Sequence, residues 1–96
     1  MRFEWDEDKR RDNLRKHGLD FRDAEQVFAG VVLTWEDERA AYGEQRFLAF
    51  GLLQGRVVAV AYTWRGEAMR LISMRKAASD EEQTYFREVG NGFRAP

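Results

Sequence analysis

Polar and apolar residues alternate from Arg2 to Trp5, the two-residue period of a short strand. Asp6 is a good N-cap for a helix that begins at residue 7. Residues 7–17 then read as that helix, which stops before Gly18, well placed as a left-handed C′ residue. Asp20 caps a second helix, where Phe21, Ala24, Val27 and Phe28 form one apolar stripe and Gly30 ends the run. Residues 31–35 are β-branched and aromatic and read as a strand. The acidic stretch from Glu36 to Glu44 reads as a loop. Strands come next at residues 46–53, 56–64 and 67–74, separated by Gln54-Gly55 and Arg65-Gly66, two-residue turns ending in glycine. Ser79-Asp80-Glu81-Glu82 reads as a capping box that opens a last helix through about Glu88. The tail from Gly90 reads as loose.

The order is strand, two helices, four strands, helix. It predicts an α+β domain: an antiparallel meander with two N-terminal helices and one C-terminal helix. Val58, Val60, Tyr62 and Trp64 share one face of their strand, and Val57, Ala59, Ala61 and Thr63 share the other. Both faces are apolar, so this strand reads as central and covered on both sides. Phe3, Trp5, Phe21, Phe28, Phe47, Ile72 and Met74 read as core.

At 96 residues the chain makes one domain, 1–96, with room for one modest core. It has no cysteine, which excludes disulfides and thiolate metal sites, and a single histidine, which excludes a two-histidine zinc site. The start MRFEWDEDKRR lacks the apolar run of a signal peptide, and no stretch is long and apolar enough for a membrane span. A cytoplasmic protein is expected. The net charge of −1 argues against a strong nucleic-acid binder, but its distribution is uneven. Residues 46–76 carry six basic side chains (Arg46, Arg56, Arg65, Arg70, Arg75, Lys76) against Glu67 alone. Residues 25–45 carry five acidic side chains against Arg39. The positive segment is the strand-forming one. Arginines on the wet face of a sheet would explain it equally well.

Phe3-Glu4-Trp5-Asp6 is followed by Lys9, Asn13 and Lys16-His17-Gly18, then by Phe21, Ala24 and Phe28. Glu44-Gln45-Arg46-Phe47, Gly51, Tyr62, Thr63 and Arg65-Gly66-Glu67 come next. The run from Arg70 through Ile72-Ser73-Met74-Arg75-Lys76-Ala77 precedes Glu82 and Tyr85. In order and spacing this resembles the BrnT family of type II toxins, over about residues 3–87. The resemblance implies a RelE-like fold and RNA cleavage that blocks translation, with no metal or cofactor. It also implies a BrnA-type antitoxin partner, two toxins with two antitoxins, and operator DNA bound only through the antitoxin.

RNA cleavage without a metal needs a base for the 2′-hydroxyl proton, cations for the charge on phosphorus, and an acid for the leaving oxygen. Arginine suits the second task, because its planar fork meets two phosphate oxygens and stays protonated. By resemblance, Arg65 and Arg75 are the first candidates for phosphate. Arg46 joins them, with Glu44 two residues away as a base, although the two also suit an ordinary ion pair. His17 can act as base or acid, or it can simply cap carbonyls at its helix end. Lys16 and Lys76 can touch the RNA backbone, and Asn13 lies one helical turn before Lys16 and His17. Tyr62 can stack a base or sit in the core. Arg70 has the opposite parity to Arg75 on an unbroken strand, so the two are not expected to share a face. The competing reading is a non-catalytic module that only binds the antitoxin and co-represses an operon.

Overall fold

The computed structural model describes residues 1–38 and 43–92. Residues 39–42 of the acidic loop and 93–96 of the tail lie outside the described residues. The chain runs β1 (Arg2–Glu4), α1 (Glu7–His17), a 3-10 turn (Phe21–Asp23) leading into α2 (Ala24–Ala29), β2 (Leu33–Glu36), β3 (Phe47–Leu53), β4 (Arg56–Arg65), β5 (Ala68–Lys76) and α3 (Ser79–Gly92). No helix among them is long and apolar enough to cross a membrane.

The five strands form one sheet in the order β1-β5-β4-β3-β2. From β2 to β5 it is the expected antiparallel meander. β1 departs from it by pairing parallel to β5. The physical reason is the connection: α1, α2 and three strands separate β1 from β5, ample length for the crossover that a parallel pair requires.

The local signals explain the helices. The Asp6 carboxylate accepts the backbone N–H groups of Asp8 and Lys9, and Gly18 ends α1 at φ +69°. Asp20 accepts the N–H of Arg22, which closes a 3-10 turn first, so the α-helical part begins only at Ala24. The last helix is capped one residue earlier than expected: the Glu81 carboxylate accepts the N–H of Ala78 at 2.8 Å. The helix also runs four residues past Glu88, to Gly92.

β4 is central and covered on both sides, as its two apolar faces predict. On one side Phe21, Ala24 and Val27 pack on Val58, Val60, Tyr62, Met69, Leu71 and Met74. Phe3, Trp5, Phe28 and Phe47 flank this core, half-buried. α2 approaches β3 so closely that a Cβ on Gly51 would lie 2.8 Å from the Val27 side chain and 2.9 Å from that of Val32. On the other side Phe50, Val57 and Ala59 lie under Tyr85 of α3, whose hydroxyl donates to the Val31 carbonyl at 2.8 Å. This second cover lies over the Phe50, Val57 and Ala59 end of β3 and β4, and the side chains of Arg65 and Arg70 toward the other end of that face keep solvent access.

Candidate active site on the open sheet face

The site starts from an irregularity in β5. Ala61 pairs with Ser73, but the next residue, Tyr62, pairs with Leu71. Ile72 is the extra residue of a β-bulge, and the side-chain alternation changes phase there. Counting on an unbroken strand puts Arg70 and Arg75 on opposite faces. The bulge reverses that expectation, and both point to the open face with Ser73.

Thr63 pairs with Arg70, and Arg70 pairs with Glu4 on β1. On the other side Phe47 pairs with Tyr62, and the Asp37 N–H donates to the Arg46 carbonyl at 2.7 Å, which carries the ladder one residue past β3. Arg46, Thr63, Arg70 and Glu4 therefore form one rung across four neighbouring segments. Residues on one rung share a face. Arg46 and Arg70 stand about 10 Å apart, two interstrand spacings. The Thr63 hydroxyl between them donates to the Gln45 carbonyl at 2.6 Å, fixing the approach to β3. Arg65 and Arg75 extend the row on the same face, about 20 Å apart by strand rise.

A carboxylate stands within ion-pair range of each arginine. Arg46 donates to Glu44 at 3.2 Å. Arg75 makes a two-pronged contact with Glu81, at 2.7 and 3.0 Å, which also anchors β5 to the first turn of α3. Glu4 lies 3.8 Å from Arg65 and 4.0 Å from Arg70, within ion-pair range but beyond a hydrogen bond. Its Oε1 is buried and accepts no hydrogen bond among the described residues. The side chains of Arg46 and Arg70 keep 28% and 27% of their surface open, enough for their outer nitrogens to meet a ligand.

The other expected residues lie elsewhere. His17 ends α1 and is exposed, in a cleft of about 480 Å³ that it shares with Gln54, Arg56 and Lys76. Lys76 pairs with Val58, so it points to the face opposite the arginine row. Among the described residues, no hydrogen bond or ion pair holds His17, Arg56 or Lys76 by its side chain. Lys16 pairs with Asp12 at 2.9 Å, and Arg15 holds the same carboxylate. Lys16 and Arg15 keep the Asp12 carboxyl below its usual range.

Two residues expected to touch RNA have structural tasks instead. Asn13 is buried: its side-chain oxygen accepts the Met74 N–H at 3.1 Å, and its amide donates to the carbonyls of Met74 (2.9 Å) and Leu19 (3.1 Å). It pairs with the open edge of β5 as a neighbouring strand would, and no donor is left for RNA. Tyr62 is 4% exposed, stacked on Phe47 and edge-on to Phe28. Burial pushes its phenol above the usual range. No base can reach its ring.

The arginine row and the His17 cleft also bring in Arg70, Glu4, Thr63 and Arg56, which the sequence had not marked as candidates. A signal for the first was present. Met69 and Leu71 alternate on odd positions and Ile72 and Met74 on even ones, and that slip in phase is what a bulge writes into a strand.

A family model described as ribonuclease toxin, BrnT, of type II toxin-antitoxin system matches residues 5–81. No curated protein matches the chain. The matched span holds Arg46, Thr63, Arg65, Arg70, Arg75 and Glu81, and leaves out β1 and most of α3.

Proposed function

This chain belongs to the BrnT family of ribonuclease toxins of type II toxin–antitoxin systems, and on that premise we propose that it cleaves RNA, without a metal, on the open face of the sheet. The observation that carries this reading is the bulge at Ile72, which gathers Arg46, Arg65, Arg70 and Arg75 on one uncovered face beside the carboxylates of Glu4 and Glu44. Arg46 and Arg70 grip the scissile phosphate from either side of Thr63. Their guanidinium forks stabilise the extra charge that phosphorus carries in the transition state. Glu44 takes the 2′-hydroxyl proton as the 2′-oxygen attacks phosphorus, the P–O5′ bond breaks, and the leaving oxygen takes a proton from solvent. Arg65 and Arg75 hold the neighbouring phosphates. His17, Lys16 and Lys76 draw the flanking RNA backbone from the far end of β5.

Cleaved RNA would stop translation. The partner we assign is a BrnA-type antitoxin, in an assembly of two toxins with two antitoxins that reaches operator DNA only through the antitoxin. The half-covered sheet with helices packed on it fits the RelE-like class.

The test is inducible expression of the wild type, Arg70→Ala and Arg75→Ala in a bacterium, with primer extension on total RNA and growth followed. New RNA ends and arrest with the wild type, absent with Arg70→Ala, support the reading. A folded wild type that leaves RNA intact and growth unchanged overturns it in favour of a module that only binds its antitoxin.

A further inference from the structure

β2 is the edge strand beyond β3, and its side chains Leu33 and Trp35 face the same side of the sheet as the arginine row. There β2, β3 and the first turns of α3 enclose a groove. Its floor is apolar: Trp35, Leu48 and Phe50, with the Trp35 ring edge-on to Phe50 at 5.3 Å and 47% exposed. Its rim is acidic: Glu36, Glu38 and Asp80, with Asp37 beside them and Glu81 closing the end toward Arg75. Among the described residues, no lysine or arginine lines it. The carboxylates of Glu36, Glu38 and Asp80 take part in no ion pair or hydrogen bond among the described residues.

These features select an occupant by charge. A wall of carboxylates repels phosphate, so the groove is not a continuation of the RNA path. Like charges brought together over an exposed tryptophan fit a partner that supplies cations and an apolar anchor, because an aromatic floor rimmed by polar groups is the anatomy of a protein–protein contact. We propose that the groove receives the antitoxin, through a segment in which lysine or arginine side chains flank a large apolar residue. The apolar residue would sit on Trp35 and Phe50, and the cations would reach Glu36, Glu38 and Asp80. Glu81 belongs both to the groove and to the ion pair that orients Arg75, so a segment seated there lies directly beside the arginine row and can cover it. This inference rests on the reading of the chain as a toxin with a protein antitoxin. It does not depend on which residues cleave RNA.

The experiment uses the full chain and the antitoxin encoded with it, each purified. The variants are Glu36→Lys combined with Glu38→Lys, and Trp35→Ala, with folding checked by thermal melts. Calorimetry at two salt concentrations measures antitoxin binding, and a fluorogenic RNA measures cleavage. Rim charges act on encounter as well as affinity, so the double reversal should weaken binding about 10–100-fold at low salt and flatten its salt dependence. The free variant should still cleave RNA within about twofold of the wild type. Wild-type affinity and salt dependence in a folded double variant would overturn the proposal, and so would lost cleavage with antitoxin binding intact. A wild type that cleaves nothing, while the variants still lose the antitoxin, would sink the ribonuclease site and leave the groove standing.

Discussion

Two groups of cations sit at different parts of this molecule, and they are built differently. On the open sheet face Arg46, Arg65, Arg70 and Arg75 stand on strands or at their ends, each within ion-pair range of a glutamate. Around His17, Arg56 opens β4 and Lys76 ends β5 on the opposite face of the sheet, and neither has a carboxylate partner among the described residues. A hydrogen-bonded pair, as Arg46 makes with Glu44 and Arg75 with Glu81, gives the guanidinium a fixed direction, and Glu4 supplies a nearby charge for Arg65 and Arg70. Rigid strands and a held fork are what a transition state requires, because the charge must already be in place when it develops. An unpaired cation supplies a field instead, which attracts a polyanion without specifying where it sits. On the function proposed above, chemistry belongs to the first group and attraction to the second.

The largest effect that tests this division is on cleavage. Arg70→Ala and Arg46→Ala should each lower single-turnover RNA cleavage about 10²–10³-fold, the range for removing one preorganised donor to a developing oxyanion. His17→Gln, Arg56→Ala and Lys76→Ala should each lower it less than about tenfold. If His17→Gln costs as much as Arg70→Ala, the division is wrong and the histidine belongs to the reacting centre.

Next in size is a stability effect at the joint between the two groups. Asn13 fastens α1, which carries His17, to the bulged strand that carries Arg70 and Arg75. Asn13→Ala would leave the Met74 N–H and carbonyl unpaired in a buried place, at a cost of about 2–4 kcal/mol. Urea unfolding followed by circular dichroism measures it. A loss under about 0.5 kcal/mol would show that α1 is held by packing alone.

How far the sequence carries this picture depends on the kind of signal. Caps and stripes are local, so Asp6, Gly18 and the Phe21, Ala24, Val27 stripe were legible, as was the two-sided burial of β4. The parallel pairing of β1 was not, because register between Phe3 and Met69 is a long-range choice that no local pattern records. Of the candidate site, Arg46 and Arg75 were singled out at strand ends and Arg65 in a hairpin turn, and the sheet places all three on one face. Arg70 was set aside by a parity argument that one extra residue, Ile72, reverses. Asn13 and Tyr62 failed as RNA contacts for the opposite reason. Their chemistry suits RNA equally well, and only the packing shows that Met74 and Phe47 already occupy them.

A smaller effect concerns salt. RNA binding measured without cleavage should weaken linearly in log–log form as salt rises, with a slope near about −0.7 for each phosphate met on a single strand. Removing Arg56 and Lys76 together should reduce that slope by about 1.4 if each meets one phosphate, while changing little in the preference among RNA sequences. An unchanged slope would place the RNA path away from the His17 cleft and leave the unpaired cations without a ligand.

The smallest effect is a pH signature of a third held cation, at the start of α1. Arg10 is nearly buried between Glu7, at 2.6 Å, and Asp20, at 3.1 Å. The Glu7 carboxyl is lowered to about 2, first by its hydrogen bond from Arg10 and then by that from Trp5. An unfolded chain takes up this proton near pH 4.5, whereas the folded one takes it up only near 2. The folded state therefore keeps the whole advantage of the charged form above about pH 4.5 and loses it as pH falls toward 2. Urea midpoints of the wild type and Glu7→Gln should differ by a constant amount from about pH 5 to 7, and the two curves should converge by about pH 2. A gap that ignores pH would mean that Glu7 acts through its methylenes and not its charge. Arg10 would then be held by Asp20 alone, and the contrast between held and unheld cations would lose the pair through which titration can probe it.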